Sequence, residues 1–371
     1  NLLEAAPVPT ELTGETIPFR LVARGADETE LQLDRLEIST ASASLSASGS
    51  IDLDAGTVNL GSTVDVHRHP ALDTLLAGAT FDAARVEVAV SGALDSPDLS
   101  VATNLREPAF GDMGAEGISL KATGGLKGED FDGDVAVDLT EPTLGDPGLS
   151  ALLGRSPRLT AHVVAGAAQL RVTALDLTAA AFALSGDVST PLPEPRIDGE
   201  LVLLVPELSQ LPGADAAIRQ GSARLVVTAD AVVPEGGGEI RLSGGLTGLS
   251  FIDDMIQSAV GQSVKLTASA RPLAAGAAML DLSVATASGP ALTVDAGLDA
   301  AGSLKGDYAL DMAAVPGGLL PEGVLVEGPI RLRGKVSGTA DAPRTQGRLE
   351  LAAVGSDDIR LTAPVLAYDF S

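Results

Sequence analysis

Cysteine is absent from the 371 residues, which excludes a disulfide framework and thiol chemistry and leaves an oxidising compartment permitted. Tryptophan is absent as well, and two tyrosines and seven phenylalanines bring the aromatic share to only 2%. A compact sandwich or enzyme of this size fills its core with more aromatic volume, so a large conventional core is not expected. A membrane barrel needs aromatic girdles and is disfavoured for the same reason. Cations are scarce too, with 24 Lys and Arg against 50 Asp and Glu, a formal charge of −26. That balance speaks against nucleic acid, whose phosphates must be met by Lys and Arg, and against tight docking on anionic headgroups. No apolar run approaches the roughly 20 residues of a spanning helix. The chain opens at Asn1 in mid-pattern, without a Met or a signal peptide, so a fragment of a longer chain is expected.

What the chain has in quantity is alternation. Hydrophobic residues make up 45% of it, nearly all Ala, Val, Leu and Ile, with 42 glycines and 22 prolines to supply turns. The stretch Leu170–Val205 sets the pattern: Leu175 and Leu177, then Ile197, Gly199, Leu201, Leu203 and Val205, recur at a period of two. That period means β-strand with one face buried. Ser185-Gly186 is followed by Pro191, and the same Ser-Gly-x4-Pro device recurs from Gly92 to Pro97 and from Gly338 to Pro343. Glycine permits a sharp bend and proline withholds a ladder donor, so each device is expected at a corner or a sheet edge. Strands are read at 17–24, 30–39, 45–53, 58–66, 85–91, 99–105, 117–123 and 134–139, and in groups onward to Tyr368. Asp54-Ala-Gly56 reads as a tight turn.

Short helical interruptions are expected near 70–78, 147–154, 207–220 and 251–260. Leu72, Leu75 and Leu76, then Leu149, Leu152 and Leu153, then Ile252, Met255 and Ile256 show helical spacing. Asp146 before Pro147 reads as an N-cap with a first-turn proline. Helices this short are not stable alone, so their apolar stripes are expected to dock on a sheet. About twenty strands thus stand against three to five helices, and the fold class read from the sequence is all-β, an elongated curled antiparallel sheet with a hydrophobic groove. Residues 1–371 read as one continuous repetitive segment.

Twenty half-apolar strands expose far more greasy surface than a few short helices cover, whereas a soluble monomer tolerates a patch of roughly 300–600 Å². Closure, self-packing, or a groove holding an apolar ligand would each resolve this. The candidate lining set is Leu45, Ile51, Leu53, Val86, Val88, Val135, Val137, Leu175, Leu177, Leu201, Leu203, Val205, Leu225, Val227, Leu266, Leu280, Leu282, Leu292, Val294, Leu310, Ile330, Leu332, Leu349 and Leu351.

With its Ser-Gly-x4-Pro links, strand pairs such as Leu33–Leu60, helix-plus-glycine punctuation and sparse aromatics, the chain resembles the TamB family. These are the inner-membrane-anchored subunits of the translocation and assembly module, within the AsmA-like repeating β-groove proteins. The resemblance implies a U-shaped groove in the Gram-negative periplasm that carries phospholipid between the inner and outer membranes. It also implies a link to outer-membrane protein assembly through a TamA-like barrel partner. The anchor and the partner-binding region are expected outside this segment. A closed β-solenoid of adhesin type is the alternative reading.

No sign of enzymatic chemistry or of a cofactor is read from the sequence. Asp130, Asp132, Asp134, Asp138 and Glu141 have calcium-loop spacing, but Val135 stands where the loop needs Gly, and 135–139 alternates as a strand. His67 and His69 sit two apart with no third ligand nearby, so no metal site is expected. Met255 and Met279 read as packing residues. No G-x-S-x-G, Walker or H-E-x-x-H motif occurs, and Gly236-Gly-Gly238 reads as a turn because no helix follows it.

Overall fold

The computed structural model describes residues 17–25, 29–76, 78–192, 196–232, 237–273, 277–315, 324–339, 342–356 and 359–370. The chain divides into two compact units, Asn1–Ala180 and Ala181–Ser371.

The first unit holds β1 (Phe19–Gly25), β2 (Glu30–Ser39), β3 (Ala43–Asp52), β4 (Thr57–His67), β5 (Ala79–Thr80), β6 (Ala83–Ala93) and β7 (Ser96–Arg106). It continues with β8 (Ala109–Phe110), β9 (Met113–Gly114), β10 (Gly117–Lys127), β11 (Asp130–Thr140), β12 (Arg158–Ala165) and β13 (Gln169–Thr178). Helices α1 (Pro70–Leu75) and α2 (Pro147–Leu153) interrupt it. Its sheet runs β1-β2-β3-β4-β6-β7-β10-β11-β12-β13, every neighbour antiparallel. The three two-residue strands β5, β8 and β9 pair separately.

The second unit holds β14 (Ala183–Pro191), β15 (Arg196–Val205), β16 (Ile218–Val232), β17 (Gly238–Phe251), β18 (Ser263–Pro272) and β19 (Ala278–Thr286). After these come β20 (Ala291–Leu298), β21 (Ser303–Met312), β22 (Leu325–Thr339), β23 (Pro343–Ser356), β24 (Ile359–Thr362) and β25 (Val365–Phe370), with α3 (Asp254–Val260) between β17 and β18. Its strands pair antiparallel in chain order as far as β23, along which β24 and β25 both lie. Among the described residues neither sheet closes into a barrel. The all-β, curled antiparallel class read from the alternation is the class observed.

Two of the three Ser-Gly-x4-Pro devices are hairpins rather than corners. Gly92 stands directly opposite Pro97 across β6–β7, and Gly338 directly opposite Pro343 across β22–β23. In the first, Ala93 pairs with Ser96 and only Leu94-Asp95 turns. The third is different: Gly186 lies inside β14 opposite Leu201, and Pro191 is the last residue of that strand. Gly186 and Gly244 have φ of +149° and +150°, and a Cβ on either would lie 2.0–2.1 Å from a carbonyl oxygen of the neighbouring strand. Only glycine permits these bends, which curl the sheet.

The helices follow their capping signals but bury little. The Asp146 carboxylate accepts from Gly148 N–H (2.6 Å) and Leu149 N–H (3.1 Å), and Asp253 accepts from Met255 and Ile256 N–H in the same way. The expected docking of apolar stripes is found only in part, with Val260 of α3 packed against the buried cluster around Leu208. Leu76, Leu149, Ile252, Met255 and Ile256 are exposed, and Leu72, Leu152 and Leu153 are half-buried. The Leu75 side chain lies outside the described residues. A helix of two turns presents too narrow a stripe to seat all its apolar side chains on a twisted sheet.

The helix expected within 207–220 is instead two single 3-10 turns, Leu208–Gln210 and Ala214–Ala216. Pro212 lacks the donor that an α-helix would need, and Gly213 takes a left-handed φ of +74°. The first of these turns earns its place by packing. Leu208 joins Val205, Ala223 and Leu249 in a buried cluster, with Leu203, Leu211, Val260 and Val264 packed around it.

Candidate functional site

Antiparallel register places residues that share a pleat directly opposite one another. In the second unit this assembles three continuous cross-strand rows on one face. The central row is Leu184, Leu203, Leu225, Gly244, Leu266, Val284, Leu292, Leu310, Leu332, Leu349 and Leu366. On one side of it run Gly186, Leu201, Val227, Leu242, Ala268, Leu282, Val294, Tyr308, Gly334, Gly347 and Tyr368. Beyond these come Val188, Gly199, Ala229, Ile240, Ala270, Leu280, Ala296, Gly306, Val336, Thr345 and Phe370. Only Tyr308, Tyr368 and Thr345 bring a polar side-chain atom to these rows. At about 4.8 Å per strand the strip runs on the order of 50 Å along the sheet. Its central leucines are half-buried, and the strip reaches exposed ends at Leu366 and Phe370.

Most of the second unit's candidate lining residues fall on these rows. Leu201, Val227, Leu282 and Val294 share one; Leu203, Leu225, Leu266, Leu292, Leu310, Leu332 and Leu349 share the central one; Leu280 is on the third. Val205, Ile330 and Leu351 lie one pleat further along the same face, where Val205 and Ile330 are buried.

In the first unit Leu45, Val86, Val137 and Leu177 fall on a single row with Ile38, Val64, Thr103, Leu120 and Leu159. Val88 and Val135 occupy the adjacent row, and Ile51 lies opposite Leu31 and Val58. Two residues depart from the simple alternation. Leu53 stands beyond the end of β3 in the turn and is 63% exposed. Leu175 sits beside a bulge, where the register slips between Thr160 and His162 and Ala174 takes φ +50°. The extra residue returns Val172 to the same face as Leu175, which strict period-two counting does not anticipate.

The opposite face is polar. Arg241, Ser269, Asp281, Asp295, Asp307, Lys335, Gln346 and Asp369 stand in one row, and Ser243, Thr267, Ser283, Thr293, Ala309, Arg333, Arg348 and Ala367 in the next. An open cleft of about 1300 Å³ is lined by residues of both polar rows and by the apolar row between them, from Leu242 to Tyr308 and Tyr368, and by none of the central-row leucines. Asp281, Asp295 and Asp307 face each other directly, a like-charge contact that costs stability. Ser269 Oγ donates to Asp281 at 3.1 Å, and Arg271 lies 3.9 Å away, which relieves one end.

Four of the carboxylates with calcium-loop spacing meet basic or imidazole side chains along β11 and just past it. Asp132 and Asp134 flank His162 at 3.1 and 2.9 Å, Asp138 lies 3.6 Å from Arg158, and Glu141 pairs with Arg155. His69 caps α1, its Nδ1 accepting from Ala71 N–H at 3.3 Å. Gly236 lies outside the described residues. Among the described residues no three His, Asp or Glu side chains group to hold a metal.

One feature of the apolar face was not read from the sequence. Tyr308 and Tyr368 lean towards each other over Gly334 and Gly347, and their hydroxyls are hydrogen-bonded. Burial pushes the Tyr368 phenol up to about 12, with the Tyr308 hydroxyl adding to the shift. The signal was present: the only two tyrosines occupy apolar-phase positions in register with two glycines. Nothing in local sequence spacing links residues 60 apart.

Comparison of the chain with protein-family models, with curated proteins and with solved structures finds no match.

Proposed function

We propose that this protein is a lipid-transfer conduit that carries the acyl chains of phospholipid along the aliphatic face of its sheet. The observation that supports the reading is the continuity of the three rows in the second unit. Eleven strands contribute to each, and the central one, Leu184 to Leu366, is broken only by Gly244. A methylene is worth about 0.8 kcal/mol when removed from water, in a bilayer or against such a face. Transfer between the two is then nearly level in free energy, and a lining of Leu, Val, Ala and Gly has no deep trap along it. Movement is passive on this reading, with no catalytic step and no cofactor, and direction comes from outside the chain.

A closed, self-packed solenoid would bury these leucines, and the central ones are half-buried instead. The family resemblance extends the proposal to the Gram-negative periplasm. There the parent chain would be anchored in the inner membrane and would meet a TamA-like barrel at the outer membrane.

The test is lipid extraction and mass spectrometry of the purified chain, run beside Leu292→Asp and Leu332→Asp. Both positions lie in the central row away from the buried cluster around Leu208. A charge on the strip blocks acyl chains but has protein on one side only, so the fold is expected to survive while co-purified phospholipid is lost. A parent chain with no lipid, together with variants that unfold, would favour the self-packed alternative.

A further inference from the structure

We infer that Tyr308 and Tyr368 form a hydrogen-bonding station on the aliphatic face, one that engages the first oxygen of a long-chain amphiphile, its ester carbonyl or carboxylate. The inference rests on the conduit reading and adds to it a place where a lipid is held and oriented.

The pair is set apart chemically from everything around it. In the three apolar rows the only other polar side chain is Thr345. Each ring lies over a glycine: a Cβ on Gly334 would meet the Tyr308 ring and hydroxyl at 2.5 Å, and one on Gly347 would meet the Tyr368 hydroxyl at 2.4 Å. The rings are thus laid flat along the sheet, and their hydroxyls meet above β22–β23 instead of standing out into solvent. Phe370 extends the aromatic surface, its ring centroid 5.6 Å from that of Tyr368.

Two phenols bring two protons. One is used between them, and the second, with the remaining lone pairs, has no other partner among the described residues. A phenol that already accepts a hydrogen bond is a better donor, because hydrogen bonds in a chain polarise one another. Burial holds the Tyr368 proton in place far above neutral pH, so the pair remains a donor. A hydrocarbon passing along the strip gains nothing from it. An acyl chain that ends in an ester or carboxyl oxygen gains one bond, at the place where the strip approaches its exposed end at Leu366 and Phe370.

The test compares methyl palmitate with hexadecane, measured by displacement of an environment-sensitive fluorophore from the full chain and from Tyr308→Phe/Tyr368→Phe. Phenylalanine keeps both rings over their glycines, and a thermal melt checks that the fold is retained. In the parent the ester is expected to bind about threefold to tenfold more tightly than the alkane, the worth of one net hydrogen bond. In the double variant that ratio is expected to fall to one, with alkane binding unchanged. A purely structural strap between β21 and β25 would alter the melting temperature and leave the ratio alone. An ester preference that persists in the double variant overturns the station and leaves the conduit reading standing. A parent that binds neither compound overturns both.

Discussion

The hydroxyls of Tyr308 and Tyr368, on β21 and β25, are hydrogen-bonded to each other across two intervening strands. The contact exists because β22 and β23 present Gly334 and Gly347 between them. With any larger side chain there, the rings could not lie down. These are the only tyrosines, and the chain has no tryptophan, so their ionisation can be followed optically without interference.

Tyr368 is expected to titrate at about 12, against about 10 for an exposed tyrosine. The sign follows from the raised value. The neutral phenol is favoured in the folded state, so the contribution to stability is complete below pH ~10 and is lost as pH rises towards the folded value. Tyrosinate absorbance recorded during an alkaline titration checks this, and ionisation of both tyrosines near pH 10 in the folded chain would contradict it.

Glycine substitutions separate the strap from ordinary strand positions. Gly334→Ala puts a Cβ 2.5 Å from the Tyr308 hydroxyl and 2.6 Å from the Gln346 carbonyl oxygen, and the second of these is backbone and cannot swing aside. A cost of about 1–3 kcal/mol is expected. Gly61→Ala, with nothing within 4 Å of the added Cβ, should be neutral or stabilise by about 0.5 kcal/mol. Denaturant melts of the two variants side by side provide the measurement.

The cluster around Leu208 is buried, and Leu249 is 2% exposed within it. Leu249→Ala is expected to cost about 2–5 kcal/mol. Hydrogen exchange should show the loss first at residues 208–218 and at α3, the elements that dock there. Leu203 packs against the same cluster, so an aspartate there would damage the fold whether or not the strip carries lipid.

Strand β1 is held to β2 by a two-pronged pair, with Arg24 Nε 2.6 Å and Nη2 2.7 Å from the two oxygens of Asp34. The Arg24 hydrogen bonds keep the Asp34 carboxyl below the usual carboxylate range. Such a shift contributes stability that is present above pH ~4 and lost as pH falls through the lowered folded value. Protection of the β1 amides, measured against the intrinsic exchange rate, is therefore expected to fall at acid pH in the parent. In Asp34→Asn it should be low already at neutral pH and largely independent of pH.

The sequence by itself determined the class of fold and which residues share a face. Period-two alternation with aliphatic residues in one phase puts Leu225, Leu266, Leu292 and Leu332 on one side of their strands whatever the pairing partner, because successive side chains alternate across the pleat. The boundaries of β2, the turn after β3 and the Asp146 cap were legible for the same local reason. Tertiary structure decided everything that depends on register and on neighbours. It made Gly92 and Pro97 hairpin partners but put Gly186 in mid-strand, and it turned 207–220 into two single turns because Leu208 had a cluster to join. It slipped the β12–β13 register at Ala174. It also brought Tyr308 to Tyr368, since register across four strands accumulates from hydrogen bonds that no local window of sequence contains.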